Sequence, residues 1–535
     1  NYSSKNIGFI YGLNTLGACV GISSIPIIFF NQINITNTLI LVASFNLFIS
    51  ICLFLVHLKQ KKESHNHKSD FISNANKTPN VKKINYDLLI LAFLSGGIAF
   101  LMEIVFFRIA ATNWPSSAYN FPLILMIFLF FLGIGSLYFS KIVNNSEDRS
   151  KQILSTLFLS SVICIFSTIF IQAFYETTSI VSIVLKYLIL VGPFAFFQGG
   201  IFPILLRLSS PIKKDLSNNT GIIYLINSIG AFTLVAFSQF ILFDLIGIKG
   251  VIIFLISLSI LCLLIVYFKN LNSNFNKTKI SGAFAILVLT IFISNDVWNV
   301  YRFNQNSIDL IGKEGSTGIA TISWYDEIQP GGILADVKIN GHYMSALPNH
   351  PSHVPFELFA LSSNRKSNII ILGLGGGGMV RELNNDQNIL KIQVVDWSNE
   401  ISELLLNDRA DILLEGALKS NKVNVISGDA RQFINLSNSN SVDIIIDNLA
   451  YTYMSGATSV KSIEYYEQIS RTLHDDAIFI LSINGRDVSH AQSVIRSVNM
   501  NFKHTYYNNN LLISSNSSLD CFFDNDFAIS EERCP

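Results

Sequence analysis

Charge is what this sequence has least of. Of its 535 residues only 14% are charged, against about a quarter in typical soluble domains. Neither sign is in surplus, since 37 Lys+Arg face 37 Asp+Glu. The shortage excludes a single soluble domain and a disordered chain, and the balance excludes a strongly basic binder of nucleic acid. Cysteine is also sparse, six residues in all. Cys19, Cys52, Cys164 and Cys262 fall in apolar runs, where they read as small core residues. Cys521 and Cys534 stand near the C-terminus, and a disulfide between them would imply an oxidising compartment. The sequence as given opens without an initiator Met or a signal peptide.

What is abundant is apolar: half of all residues are hydrophobic. The zero net charge also conceals a split. Residues 1–305 hold 21 Lys+Arg and 10 Asp+Glu, and the remainder holds 16 and 27, so the halves carry +11 and −11. A membrane span needs roughly 20 apolar residues. Runs of that kind occur at about 7–31, 36–58, 86–111, 117–142, 153–174, 178–206, 219–243 and 248–267. A ninth run, 280–295, is short enough either to cross or to lie in the interface. Seventeen of the 21 basic residues sit at Lys5 and in alternate connections, 59–85, 141–151, 207–214 and 269–279. By the positive-inside rule those connections are cytoplasmic. The stretch 59–85 reads as a solvated basic linker, and its His65-Asn66-His67 is not taken as a metal site.

The apolar half repeats itself. GFIYGLNTLGA at 8–18 matches GIIYLINSIGA at 221–231, at an offset of 213. Internal repeats are common in transporter folds. Because the first copy begins almost at Asn1, the expectation is that the natural chain extends upstream. Glu103, Arg108 and Lys186 are charges inside apolar runs, where charge is costly and is paired or functional. Glu103 and Arg108, five apart on one helix, are expected to approach one another as an ion pair, or else to line a polar cavity for a substrate or make a docking contact.

Beyond about residue 305 the pattern changes. GIATISWYD and GILADVKINGHYMSA, with PGG between them, read as short strands and hairpins. From Asn368 on, strands alternate with helices: NIIIL, KIQVVD, VNVIS, VDIIID and AIFILSI, with helical stretches at 398–406, 430–437, 461–473 and 487–499. That alternation implies a doubly wound parallel sheet. Its first strand leads into Gly373-Leu374-Gly375-Gly376-Gly377-Gly378, a GxGxxG turn between strand and helix, and Asp396 ends the next strand. Glycines there admit a nucleotide to the backbone, and the carboxylate can accept ribose hydroxyls. NAD enzymes and adenosyl-sulfonium enzymes share this pattern. Asp429 after the third strand and Asp447 at the end of the fourth add two more acids at the ligand-facing edge, although each alone also fits a helix cap or turn.

In order and spacing, LGLGGGGMVREL, VVDWS, ISGDARQFI and DIIIDNLAYTYMSGATSVKSIEYYEQISRTL resemble the spermidine synthases, the polyamine aminopropyltransferases. KEGSTGIATISWYD and LADVKINGHYMSALPNH resemble the small β-domain that precedes their nucleotide domain. SGGIAFLMEIVFFR and IYGLNTLGA resemble the membrane-fused members. The resemblance implies a multi-span helical membrane domain over 1–304, a small β-domain over 305–348 and a Rossmann-like domain over 349–535. It implies transfer of an aminopropyl group from decarboxylated S-adenosylmethionine, a co-substrate rather than a resident cofactor, to an amine, with release of methylthioadenosine. Carried over residue by residue, Gly373, Gly375, Gly376 and Gly377 cradle the donor with Asp396 on its ribose. Asp429 and Ala430 meet the adenine, Asp447 is the base, and no metal is called for. Two acids of the family are missing, one where Gly376 stands and one in Asp447-Asn448-Leu449-Ala450-Tyr451. Those acids help hold a cationic amine, so a polycationic acceptor is disfavoured. The segment before the first strand is blurred, with His350 and His353 the nearest candidates, and either suits a buried structural role or a ligand contact.

Other readings stay open. A methyltransferase, or a lyase or cyclase acting on S-adenosylmethionine, would use the same donor site without the diamine acids. A transporter or sensor regulated by its nucleotide domain belongs to another class. An NAD oxidoreductase would leave Asp429 and Asp447 without roles. The expected setting is a multi-pass cell-membrane protein with its catalytic domain on the cytoplasmic face, where such donors are made. The expected partners are the lipid bilayer and a small or membrane-delivered amine; self-association stays open.

Overall fold

The computed structural model describes residues 2–24, 35–66, 85–113, 120–142, 147–171, 180–209, 216–268, 275–293, 309–349, 366–449, 457–483, 488–508 and 511–518. They fall into two compact units. One takes in Asn1–Phe107, Phe121–Ser238 and Ile252–Ile293, and the other Arg108–Asn120, Gln239–Val251 and Ser294–Pro535. His350, His353, Cys521 and Cys534 lie outside the described residues.

The helical part runs α1 (Tyr2–Ser24), α2 (Ile35–Asn66), α3 (Tyr86–Asn113), α4 (Asn120–Ile142), α5 (Glu147–Ile171), α6 (Ile180–Ser209), α7 (Leu216–Phe237), α8 (Phe243–Phe268) and α9 (Phe275–Phe292). Six helical stretches among the described residues are long and apolar enough to cross a membrane. The runs expected at 219–243 and 248–267 join in one of these, Asn219–Phe268. A π turn at Ser238–Leu242 and a break at Gly247, φ +61°, interrupt it. The short ninth run forms α9, which is not among the six.

Small residues let these helices touch backbone to backbone. A Cβ on Gly96 of α3 would lie 2.1 Å from the Asn227 carbonyl of α7, and one on Gly230 would lie 2.0 Å from the Phe93 carbonyl. Gly135 of α4 and Gly199 of α6 make the same kind of crossing, at 2.0 Å from the Phe196 carbonyl and 2.1 Å from the Leu132 carbonyl. Where lipid is as apolar as leucine, close packing of this kind and interhelical hydrogen bonds replace the hydrophobic drive. The buried bond from Gln198 Nε2 to Ser161 Oγ, 3.1 Å, is one of the latter. The sequence repeat has a structural counterpart: Tyr11 of α1 and its equivalent Tyr224 of α7 both pack on Phe202 of α6, at ring distances of 4.7 and 6.1 Å.

In the second unit Arg108 does not pair with Glu103, as their spacing suggested. Its guanidinium donates to the carbonyls of Gly315 (2.7 Å) and Ser316 (3.0 Å) and sits 3.7 Å over the Phe243 ring. Gln239 Nε2 donates to the Ser316 carbonyl as well, at 3.0 Å.

Two sheets complete this unit. β1 (Leu310–Glu314), β2 (Ile319–Gln329), β3 (Ile333–Ile339) and β4 (His342–Leu347) form an antiparallel sheet in chain order. Its tight turns, three residues between β2 and β3 and two between β3 and β4, carry Gly331 and Gly332, then Asn340-Gly341, all at positive φ. The main sheet holds β5 (Ser367–Leu372), β6 (Ile389–Asp396), β7 (Val423–Ser427), β8 (Val442–Asp447), β9 (Leu473–Ser482), β10 (His504–Asn508) and β11 (Leu511–Ser515). The helices between its strands are α10 (Gly378–Asn385), α11 (Asn399–Leu405), α12 (Asp408–Leu413), α13 (Ala430–Leu436), α14 (Ile463–Thr472) and α15 (Val488–Asn499). The strand order is β10-β11-β9-β8-β5-β6-β7, and five strands from β9 to β7 are parallel as expected. The last two, β10 and β11, add an antiparallel hairpin, so the sheet is mixed. Ile369 and Ile371 pack with Ala320, Ile322 and Val337 of the small sheet, whereas Ile370 and Leu372 face Tyr466 and Phe479. Both faces of β5 are covered, which is why it reads as an unbroken apolar run.

The glycine crossings predict a sharp contrast. Gly230→Leu should lower the melting midpoint of the detergent-solubilised protein, at an overpacking cost of about 1–3 kcal/mol or more. Gly282→Leu, at a site with nothing within 4 Å of an added Cβ, should leave it near the wild-type value. Equal shifts in the two variants would contradict the crossing.

Candidate functional site

Strand order reverses between β5 and β8: β6 and β7 follow on one side of β5, and β8 and β9 on the other. Such a reversal opens a crevice at the carboxyl ends of the two central strands. Leu372 and Asp447 are register partners there, so the glycine turn after β5 and the acid ending β8 start side by side.

The turn is built on positive φ at Gly373 (+95°), Gly375 (+58°) and Gly377 (+79°). It delivers the chain to α10, whose N-cap is Gly377. The Gly373 amide donates to the Val395 carbonyl at 2.8 Å, and the Asn448 amide donates to the Leu372 carbonyl at 2.8 Å. Asp396 stitches the turn to β6: its Oδ2 accepts the Leu374 amide (2.8 Å) and its Oδ1 the Ser398 amide (2.9 Å). Burial pushes the Asp396 pKa up, while those two amides pull it down.

Gly376 stands where the sequence resemblance leads one to expect an acid, and the space is not vacant. A Cβ there would lie 2.6 Å from the Ala346 carbonyl and 3.0 Å from Ser345 Oγ, both on β4. Ser345 is buried and its hydroxyl has no hydrogen-bond partner among the described residues. An orphaned buried hydroxyl costs free energy unless something bonds it, and this one faces the glycine turn. The turn's backbone, the Asp396 carboxylate and this hydroxyl together suit a nucleoside with ribose hydroxyls.

Asp429 is half-exposed and is the N-cap of α13, with its carboxylate accepting the Arg431 amide at 2.8 Å. Its ion pair with the Arg431 guanidinium, 2.5 Å, holds its pKa below the usual carboxylate range. Ala430 beside it is buried. Asp429, Arg431 and Asn435 form one wall of a cavity of about 630 Å³, and Ser462, Tyr465 and Gln468 form another. The glycine turn, Asp396 and Asp447 do not line that cavity.

Asp447 is fully buried. Its Oδ1 accepts the Leu449 amide at 3.0 Å, and Lys461 Nζ stands 3.4 and 3.3 Å from Oδ1 and Oδ2. Burial raises the Asp447 pKa, and the Lys461 ammonium opposes that rise. Lys461 closes the 3₁₀ turn Ala457–Lys461 just before α14, and its side chain is only 7% exposed. Sequence reasoning missed Lys461 and Ser345. A lone lysine in SVKS and a serine in HYMSAL carry no periodic signal, and only the tertiary fold turns them toward Asp447 and the glycine turn. Of the sequence-predicted residues, the structure brings Gly373, Gly375, Gly376, Asp396 and Asp447 to one sheet edge, with Asp429 at the rim of a separate cavity. Among the described residues no cluster of three metal-ligating side chains occurs.

Residues 352–514 match the family described as spermine/spermidine synthase domain. No curated protein matches the chain. Among solved structures, the chain is similar to a spermidine synthase in complex with the transition-state analogue AdoDATO, at 15% identity, covering 38% of this chain and 73% of that one, with a TM-score of 0.33. It is similar to a probable spermidine synthase from Corynebacterium glutamicum at 16% identity, with 41% and 83% covered and a TM-score of 0.32. A third, human methyltransferase-like protein 13 in complex with SAH, matches at 14% identity over 33% of this chain and 97% of that one, with a TM-score of 0.26. The spermine/spermidine synthase domain match thus spans the part of the chain that carries the glycine turn, Asp396, Asp429 and Asp447.

Proposed function

We propose that the protein is a membrane-embedded transferase that moves an aminopropyl group from decarboxylated S-adenosylmethionine to an amine. The observation that carries this is the placement of Asp447 at the end of β8, in register with the strand that opens into the glycine turn. The amine lone pair attacks the methylene next to the sulfonium, so a C–N bond forms as the C–S bond breaks. The electron pair of that bond stays on sulfur and methylthioadenosine leaves as a neutral thioether. The proton lost by the amine passes to the Asp447 carboxylate. Because the sulfonium is already activated, the protein has only to orient the amine and keep it deprotonated. The lipid bilayer is the medium of the helical part, and a short ninth run that does not cross leaves the catalytic unit on the cytoplasmic side, where such donors are made. An acceptor delivered from the membrane fits both the fusion and the absence of two family acids.

Turnover is tested by incubating the detergent-solubilised chain with decarboxylated S-adenosylmethionine or S-adenosylmethionine, plus a crude membrane extract as acceptor source. Methylthioadenosine from the decarboxylated donor supports the proposal, whereas S-adenosylhomocysteine identifies methyl transfer instead. Retained donor binding without any turnover would favour the regulated transporter or sensor. Asp447→Asn should cut methylthioadenosine release at least about 10²-fold while donor binding by calorimetry persists; unchanged release would remove Asp447 from the base role. Because burial raises the Asp447 pKa, the acid limb of kcat/KM should lie above the ordinary carboxylate range, with activity rising as Asp447 ionises. Lys461→Met, which removes the opposing ammonium, should move that limb to still higher pH.

Gly376→Asp, which supplies the absent acid, should lower the melting midpoint without producing turnover of putrescine, since β4 fills the space; a stable variant that gains diamine turnover would contradict this. Cys521 should resist an impermeant thiol reagent in intact cells and react after permeabilisation; labelling in intact cells would place the domain outside.

A further inference from the structure

The pair at the end of β8 is loosely closed. A charge-assisted N–H···O bond closes to about 2.7–2.9 Å, yet Lys461 Nζ stands 3.3 and 3.4 Å from the two Asp447 oxygens. Those oxygens are the acceptors the ammonium has among the described residues, so its third proton has no protein partner there. At the two positions where a second acid is expected, Asn448 follows Asp447, and β4 fills the space beside Gly376. One carboxylate and one ammonium therefore stand together, buried and mutually neutral, next to the glycine turn.

A group that bonds both must carry both charges in reverse order. A dication would pair with Asp447 but meet Lys461 as a like charge. An anion would do the converse. We propose that the Lys461–Asp447 pair is the recognition site for an α-amino-acid headgroup, its ammonium on Asp447 and its carboxylate on Lys461. This rests on the adenosyl-sulfonium reading of the glycine turn and extends it to the substrate class. The headgroup has two chemical sources, an amino-acid acceptor or the methionine end of an undecarboxylated donor. In the first case the headgroup ammonium, held on Asp447, is the amine that loses its proton and attacks.

Calorimetry on the detergent-solubilised full chain separates the sources with two ligand pairs that differ mainly by the headgroup. S-adenosylhomocysteine is compared with methylthioadenosine, and L-ornithine with putrescine in the presence of saturating methylthioadenosine. A preference of about tenfold or more for the headgroup-bearing member is expected in one pair. The first pair identifies the donor as its source and the second identifies the acceptor. That preference should collapse in Lys461→Met and largely return in Lys461→Arg, with methylthioadenosine affinity measured in each variant as the reference for a folded nucleoside site. No preference in either pair, or a preference that survives Lys461→Met, would overturn the proposal. Failure of methylthioadenosine to bind the wild type would instead remove the donor reading, and this inference with it.

Discussion

Both oxygens of the Asp396 carboxylate accept backbone amides, one from the glycine turn and one from the start of α11. Those two bonds tie the glycine turn to the junction of β6 and α11, 22 residues further along the chain. They hold the turn open against the end of β6, and they set where α11 begins, with Ser398 as N-cap. From there the polar contacts continue: Ser398 Oγ donates to Glu400 at 3.0 Å, and Glu400 accepts both the amide and the hydroxyl of Thr317. Thr317 lies in the β1–β2 turn, whose carbonyls at Gly315 and Ser316 take the Arg108 guanidinium. A carboxylate expected to do no more than meet a ribose also anchors the geometry of the crevice, and its burial is tolerable because hydrogen bonds satisfy it.

Much of this fold is legible in the sequence because local physics sets it. The PGG and Asn340-Gly341 turns need positive φ, the glycine turn needs it at three places, and the parallel strands announce themselves by apolar residues on both faces. What stays hidden depends on tertiary partners. The β10–β11 hairpin is too short to distinguish from further parallel alternation. Arg108 and Glu103 share a helix, yet Arg108 finds its partners two hundred residues along the chain, at Gly315 and Ser316. Lys461 carries no signal beyond its type, although its ammonium opposes the effect of burial on Asp447.

The charge balance can be followed to that point. An acidic half suggests a cationic substrate, but surface charge does not set the charge of a buried site. Two like charges about 4 Å apart cost about 4 kcal/mol at an effective dielectric near 20. A single ammonium beside Asp447 therefore outweighs a diffuse excess of acids elsewhere. The glycine at 376 is set locally too, since β4 backbone fills the place where a side chain would begin.

The approach of β4 to the glycine turn also bears on where this chain can be cut. Ile369, Ile371 and Leu374 share one apolar cluster with Ala320, Ile322, Trp324 and Leu347. A fragment beginning after Pro348 would leave that face of the main sheet bare and take away the strand that borders the glycine turn. In sequence the small sheet is a separate domain with its own boundaries. In folding terms it is the missing layer of the nucleotide domain, and the smallest self-sufficient piece of this protein starts no later than β1.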